Sequence, residues 1–463
     1  MREVADYREL LAGIFGGRRW IIAVDALAGA TPIVASLRDL GAEACLCIAT
    51  TEGAGGRPDP EFAPDPIVIP VEAPDMMTGI RRSLDRLADL PEAARRQVDE
   101  FDPSHEARVL GTIFDDGRPV AGRAKYGARP REWQLLEDKT LVDDLWDDAG
   151  VERAPSRVVP AELVALGEAT RELDTGTGCA WAGDSKEGFN GGATYVRWVR
   201  TNADAAAAAE FFSAHSDRVR VMPFLEGIPC SIHGFVFAER TIAFRPCEMV
   251  VFKKLGTNQL HYGRAATFWD PPPADREAMR GIARRVGGHL RARVGYRGAF
   301  TVDGVMTATG FLPTELNPRF GAALAVMTAG LDIPLLLLNA AVIEDERVDW
   351  APAELERMIL EEVDAHRQGG GMAMTRQKQT SSRSAKLAWE ADRFRVLEGD
   401  GTADATAVIG PAATGGFVKV DLVPARTPVG PSAAPRIAAA LAALDEHWQL
   451  GIGPLEAARD VRS

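Results

Sequence analysis

The sequence predicts a multidomain α/β protein built of α+β lobes, and three features carry that expectation. Near the N-terminus a buried strand, a helix and a second strand follow one another closely. In the middle a glycine-bearing loop joins two strands. Further on, Thr301-Val302-Asp303 ends a strand in an acid and turns back, near Thr309-Gly310, into Thr314-Glu315-Leu316-Asn317-Pro318-Arg319. The 463 residues exceed one compact core, so about two to four domains are expected.

Composition excludes some classes of function. A formal charge of −13 disfavours nucleic acid or an anionic membrane as partner, because both repel an acidic surface. The N-terminal Met1-Arg2-Glu3-Val4-Ala5-Asp6 has no apolar run of signal type, and no apolar run elsewhere reaches spanning length. The five cysteines (Cys45, Cys47, Cys179, Cys230 and Cys247) lack paired zinc-ligand spacing and read as reduced thiols of a cytoplasmic protein. No solenoid-type repeat is visible.

In the first region, residues 1–125, Arg19 to Asp25 reads as a buried strand. Gly29 and Pro32 open a helix through Ile33–Leu40, and Ala44 to Ala49 is a second strand. Strand, helix and strand at this spacing form a parallel crossover, so the region reads as doubly wound. The loop Ala26–Ala30 has a single glycine and lacks a dinucleotide pattern. A short strand at 66–71, a helix with Ile80, Leu84, Leu87 and Leu90 at helical spacing, and a strand at 108–114 complete it.

The second region, 126–350, holds the residues that point to chemistry. Leu136 to Lys139 opens a helix that ends at Gly150-Val151. Lys139 in its first turn runs against the helix dipole, which suits an ammonium facing a phosphate, although a solvated lysine is the ordinary alternative. Gly188, Gly191 and Gly192 lie between two strands, where backbone N–H groups can cradle phosphate oxygens and Lys186 adds charge; a plain hairpin loop is the other reading. Met222-Pro223-Phe224-Leu225-Glu226-Gly227 connects strands and can offer its backbone to an adenine edge. Lys253, Lys254, His261 and Arg264 form a cationic stretch, either a surface patch or a wall facing phosphate or carboxylate. His233 reads as a structural histidine.

Alternation along a strand puts Glu315 and Asn317 on one face, and pairing of the two strands brings in Asp303. Two carboxylates and an amide oxygen suit Mg²⁺, which keeps waters and shares a substrate phosphate. Arg319 projects a cation able to clamp an oxyanion. An edge hairpin with solvated acids is the bland alternative, but Phe300, Val302, Leu316 and Pro318 anchor these strands in a core.

Taken in order, Glu137-Asp138-Lys139, the glycine loop, Phe224-Leu225-Glu226-Gly227, and Thr301-Val302-Asp303 followed by Glu315-Leu316-Asn317-Pro318-Arg319 resemble the ATP-grasp superfamily. The resemblance covers about residues 130–340, and the first region resembles the domain that precedes the grasp. It implies a carboxylate–amine ligase that activates its carboxylate as an acyl phosphate, with ATP and Mg²⁺ as cofactors and amino acids or peptides as substrates. It implies Lys139 on ATP phosphate, Met222 to Leu225 beside adenine, and Asp303, Glu315 and Asn317 on magnesium. Arg319 would meet the acyl phosphate, and Lys253 or Lys254 the transferred phosphoryl group.

Two departures stand out. The strand before the glycine loop reads Ala180-Trp181-Ala182-Gly183-Asp184 where the family carries a lysine, and Lys186, within the loop, is a candidate substitute. The family's ribose-binding acid would fall near Pro229, so either Glu226 substitutes or that contact is absent. An enzyme with another acceptor, as in biotin carboxylase, and a nucleotide-binding regulatory protein without turnover are the rival expectations. The third region, 351–463, resembles the extra C-terminal domain of pheganomycin-type peptide ligases. Within it, 368–384 is polar, glycine-rich and basic and reads as a mobile loop, a lid or a linker; strands follow near 386–389 and 416–423, then a helix over 437–448. A homo-oligomer is compatible with the sequence.

Overall fold

A computed structural model describes residues 2–462 apart from 112, 115, 189, 329 and 400. Its first sheet is four-stranded and parallel, in the order Ile67–Val68, Ala44–Thr51, Arg19–Ala26, Arg108–Leu110. Side chains of the 19–26 strand alternate between two cores: Trp20, Ile22 and Val24 face Leu37 and Leu11, whereas Ile21 and Ala23 face Leu87 and Val98. Helices therefore cover both faces, and the unit is doubly wound as expected. The crossover helix, Leu27–Asp39, begins before Gly29 and carries Pro32 inside; helix Val4–Phe15, with Leu11, precedes the sheet. The strand expected over 108–114 stops at Leu110, and Ile113 and Phe114 lie in a turn, with Phe114 set against the Arg319 guanidinium. Thr112 of that expectation, and Phe189 of the glycine loop, lie outside the described residues.

An antiparallel four-stranded sheet follows, ordered Arg157–Pro160, Arg218–Pro223, Cys179–Gly183, Val196–Val199. Helices Leu163–Leu173 and Asn202–His215 close it over a core of Leu166, Trp181, Phe212 and Val221. The central sheet has seven strands. Its main path runs Leu260–Ala266, Cys247–Lys254, Ile228–Val236, Gly298–Thr307, Gly310–Asn317, with Thr241–Ala243 and Leu455–Ala457 pairing beside it. The long helix Pro273–Val294 packs on one face of this sheet through Met279, Ala283 and Val286.

The last sheet is five-stranded and antiparallel: Gly370–Thr375, Gly415–Leu422, Ala405–Ala412, Arg383–Glu390, Arg393–Val396. The stretch 368–384, expected as a mobile loop, instead opens with a strand. Its glycines serve close packing, since a Cβ on Gly370 would stand 1.9 Å from the Val420 carbonyl oxygen and one on Gly371 would stand 2.1 Å from Ile437. Helix Ala434–Trp448 covers this sheet, and their core is continuous with Val250 and Phe252 of the central sheet and with Phe268 just beyond its edge strand.

One buried acid ties the two together. Glu248 is 1 % exposed and accepts from the Ser432 hydroxyl and from the N–H groups of Ala433 and Ala434 at the start of the 434–448 helix. Burial pushes it up to about 7 despite those donors. Glu248→Gln would turn an amide NH₂ onto a backbone N–H, and a loss of about 1–3 kcal/mol is expected, read by denaturant unfolding at neutral pH. Because the folded value lies above the unfolded one, this group's contribution falls as pH rises from the ordinary glutamate range towards 7, and Glu248→Gln removes that slope.

All five cysteines are free and buried, and burial raises each thiol, so they persist as neutral SH groups. Among the described residues no helix is long and apolar enough to cross a membrane.

Candidate active site

The hairpin of strands Gly298–Thr307 and Gly310–Asn317 sets Asp303 opposite Glu315 and Thr301 opposite Asn317. The register slips between Asp303 and Gly304, and only glycine fits at 304: a Cβ there would stand 2.3 Å from the Leu312 carbonyl oxygen. The bulge leaves Asp303, Glu315 and Asn317 together on the wall of a cavity of about 1080 Å³ between the central sheet and the second sheet.

Burial, then the facing Glu315 carboxylate, push Asp303 well above the usual carboxylate range, against the opposing pull of Arg319 and Lys139. Asn317 donates Nδ2–H to Asp303 Oδ2 at 2.8 Å and accepts at Oδ1 from Arg319 at 2.9 Å. Arg319 reaches Glu137 at 3.4 Å, and Arg129 pairs with the other Glu137 oxygen and donates to the Pro318 carbonyl at 3.1 Å. Burial alone would raise Glu137, but Arg319 and Arg129 outweigh it and hold it below the ordinary value. Arg319 is thus set by a chain of charge-assisted bonds, with Asn317 as the link to the acids.

Lys139 does not sit in a helical turn: the helix starts at Val142, and a short 3₁₀ turn, Leu135–Glu137, precedes the lysine. Freed from the dipole, its buried ammonium lies 2.9 Å from Glu315 Oε1 and 2.9 Å from Asn190 Oδ1. Asn190 in turn donates to the Asp184 carbonyl at 2.8 Å, so Lys139 joins the carboxylate pair to the glycine loop.

Of that loop, Gly191 and Gly192 line the cavity and Gly188 does not; its N–H closes a turn onto Ser185 at 2.8 Å. Lys186 also lies outside, with its ammonium 2.7 Å from Asp217 on the surface. Met222, Phe224, Leu225 and Glu226 line the cavity as expected of the connector. Phe224 already donates to Gly178 and accepts from Thr177, and its ring stacks on Trp198 at 4.4 Å. Lys253 stands 4.3 Å from the Trp198 ring centre and 3.7 Å from Glu456, so it belongs to the connector end of the cavity. Its neighbour Lys254 is not on the wall, as strand alternation requires. Arg264 is drawn away too, paired with Asp421 of the last sheet. His261 is held by the Met372 carbonyl at 2.9 Å. His233, 1 % exposed, is kept neutral by burial, which lowers it to about 3.

The sequence did not single out Arg220. It pairs across strands with Ala182, at the place where the expected strand lysine is missing, and both residues line the cavity. The guanidinium is held by Asp143 at 2.7–2.9 Å and reaches the Thr314 carbonyl, next to Glu315, at 3.3 Å. The one local signal was an arginine flanked by Val219 and Val221 in an apolar run.

Two lobes closing on a cavity, a central hairpin with facing acids and a preceding parallel unit define the ATP-grasp fold, and solved structures agree. The biotin carboxylase domain of a Hydrogenobacter thermophilus 2-oxoglutarate carboxylase, solved with MgADP, ADP and bicarbonate, matches 93 % of this chain and 89 % of its own at 11 % identity and TM-score 0.55. A Rhizobium etli pyruvate carboxylase matches 94 % of this chain over 37 % of its own, at 15 % identity and TM-score 0.56. An L-amino acid ligase from Bacillus licheniformis matches 88 % of this chain and 94 % of its own, at 12 % identity and TM-score 0.52. No family model and no curated protein matches the chain.

Proposed function

We propose that this chain is an ATP-dependent, ADP-forming ligase that joins the carboxylate of an amino acid or peptide to an amine. The observation that carries the reading is the Asp303–Glu315 pair: two partly buried carboxylates face each other on the wall of a cavity whose nearest cations are Lys139 and Arg319. Such a pair is unfavourable by itself, and a divalent cation relieves it. Asp303 and Glu315, with the Asn317 oxygen, fit Mg²⁺, which when bound would offset charge on nucleotide phosphates.

The remaining roles fall to this chain's own side chains. Trp198, Phe224 and Lys253 border the connector end, where Leu225 and Glu226 would meet the nucleoside. Gly191 and Gly192 approach the phosphates. Lys139 and Arg220 place cations beside the transferred phosphoryl group, with Arg220 doing what Lys186 cannot reach to do. Arg319 orients the substrate carboxylate and stabilises its acyl phosphate, a role in electrostatic preorganisation. An amine then attacks the acyl carbon and phosphate leaves. The domain limits 1–125, 126–350 and 351–463, a cytoplasmic location and kinship with pheganomycin-type peptide ligases belong to the same proposal.

The test is ADP release with Mg²⁺ and pools of amino acids and dipeptides, with hydroxylamine to trap acyl phosphate. Amino-acid-dependent ADP and hydroxamate are the expected result. Bicarbonate-dependent ADP would assign a carboxylase instead, and ATP binding without turnover a regulatory protein.

A further inference from the structure

The cavity does not end at the hairpin. It continues to the carboxyl ends of the 19–26 and 44–51 strands, where Asp25, Gly53, Met77, Ile80, Ser83 and Ala413 form its wall. A single ligand site typically occupies about 300–1,000 Å³. The 1080 Å³ here lies at the top of that range and draws on all four sheets, so its far end stands away from the hairpin acids. That end abuts the nucleotide loop, since Gly191 N–H meets Met77 Sδ at 3.1 Å. The last sheet closes it, with the Ala413 carbonyl accepting from Ala73 N–H at 3.0 Å.

Along the walls contributed by residues 25–83 and 411–414, the one charged side chain among the described residues is Asp25. No cation offsets it there. Its backbone carbonyl accepts from Thr50 at 3.0 Å, which fixes the strand end but not the carboxylate. Burial raises the carboxyl above its usual range. Backbone N–H groups of Asp25 and Ala26 oppose that rise and the hydroxyl residues Thr51 and Ser83 share the wall, but among the described residues no cation does, so the carboxylate stays costly until one arrives.

We infer that Asp25 is a specificity-determining residue that receives an ammonium group of the carboxylate-bearing substrate, whose apolar part fills the surrounding chamber. This deepens the ligase reading and rests on it. The ammonium held there is a spectator charge, because an attacking amine must be neutral whereas a group paired with a carboxylate stays protonated. Free amino acids or peptides with apolar side chains are therefore the preferred donors, and N-acylated ones are disfavoured.

The experiment uses hydroxylamine as acceptor, so that only the donor varies, and compares free amino acids and dipeptides with their N-acetyl forms. Wild type is expected to favour the free donors by about tenfold or more. Asp25→Asn is expected to raise KM for free donors by about that factor, leave KM for ATP and the melting temperature near wild type, and erase the preference; Asp25→Glu keeps part of it. Equal KM values for free donors in wild type and Asp25→Asn would overturn the inference while the ligase reading stands. So would a parallel rise in KM for ATP and fall in melting temperature, which marks a structural role. No hydroxamate from wild type with any donor would overturn the ligase reading and this inference together.

Discussion

Glu315→Gln is expected to lower turnover by about 10³-fold or more while leaving the protein folded. The substitution preserves shape and leaves an oxygen to accept from Lys139, now 2.9 Å away, but it removes one of two charges that would hold Mg²⁺. Folding should suffer little, because two opposing effects meet. Lys139 loses an ionic partner yet keeps Asn190, and Asp303 is released from the like charge that helps to raise it. A melting temperature within about 2–4 °C of wild type is expected, corresponding to about 1 kcal/mol. ADP release measured at saturating ATP across a Mg²⁺ titration checks it. If the variant turned over at near-normal rates, the hairpin acids would not be the metal site, and the acyl-phosphate chemistry would lose its anchor.

The same hairpin shows what could be read from the chain alone. Period-two alternation places Glu315 and Asn317 on one face, and a strand returning on itself brings Asp303 opposite, so this centre was legible locally. The doubly wound unit was legible for the same reason, because buried runs separated by one helix admit few topologies. What escaped depends on register between distant segments. Lys186 sat inside the glycine loop and was the natural substitute cation by sequence distance, but the loop points it towards Asp217. Lys254 and Arg264 shared a cationic run with Lys253, yet backbone alternation and the Asp421 partner carry them off the wall. The glycines at 370 and 371 looked like flexibility and proved to be close packing, which no local pattern distinguishes. Asp25 was read as the end of a strand; its isolation from cations among the described residues of that end appears only when the sheets are assembled around the cavity.

Arg220 is the sharpest case, and removing it is the second large expected effect. Ala182 and Arg220 are direct partners across adjacent strands, so a cation moved from one strand to the next can serve nearly the same part of the cavity. Arg220→Met is expected to raise KM for ATP and lower kcat, for a combined loss of about 10²–10³-fold in kcat/KM. That variant alone is ambiguous, because it also takes from Asp143 its buried partner and leaves it with Ser156 at 2.6 Å and Arg153 at 3.7 Å, a loss that approaches about 3–5 kcal/mol where a buried pair is fully broken. Arg220→Met with Asp143→Asn removes both charges and should recover most of the stability without recovering ATP use. Adding Ala182→Lys to that pair returns a cation to the opposite strand and should restore a substantial part of kcat/KM. Thermal unfolding and ATP titration of the three variants separate packing from phosphate recognition. A doubly substituted protein with wild-type KM for ATP would show that Arg220 only holds Asp143 in place, and the cation missing from the 179–183 strand would then have no replacement.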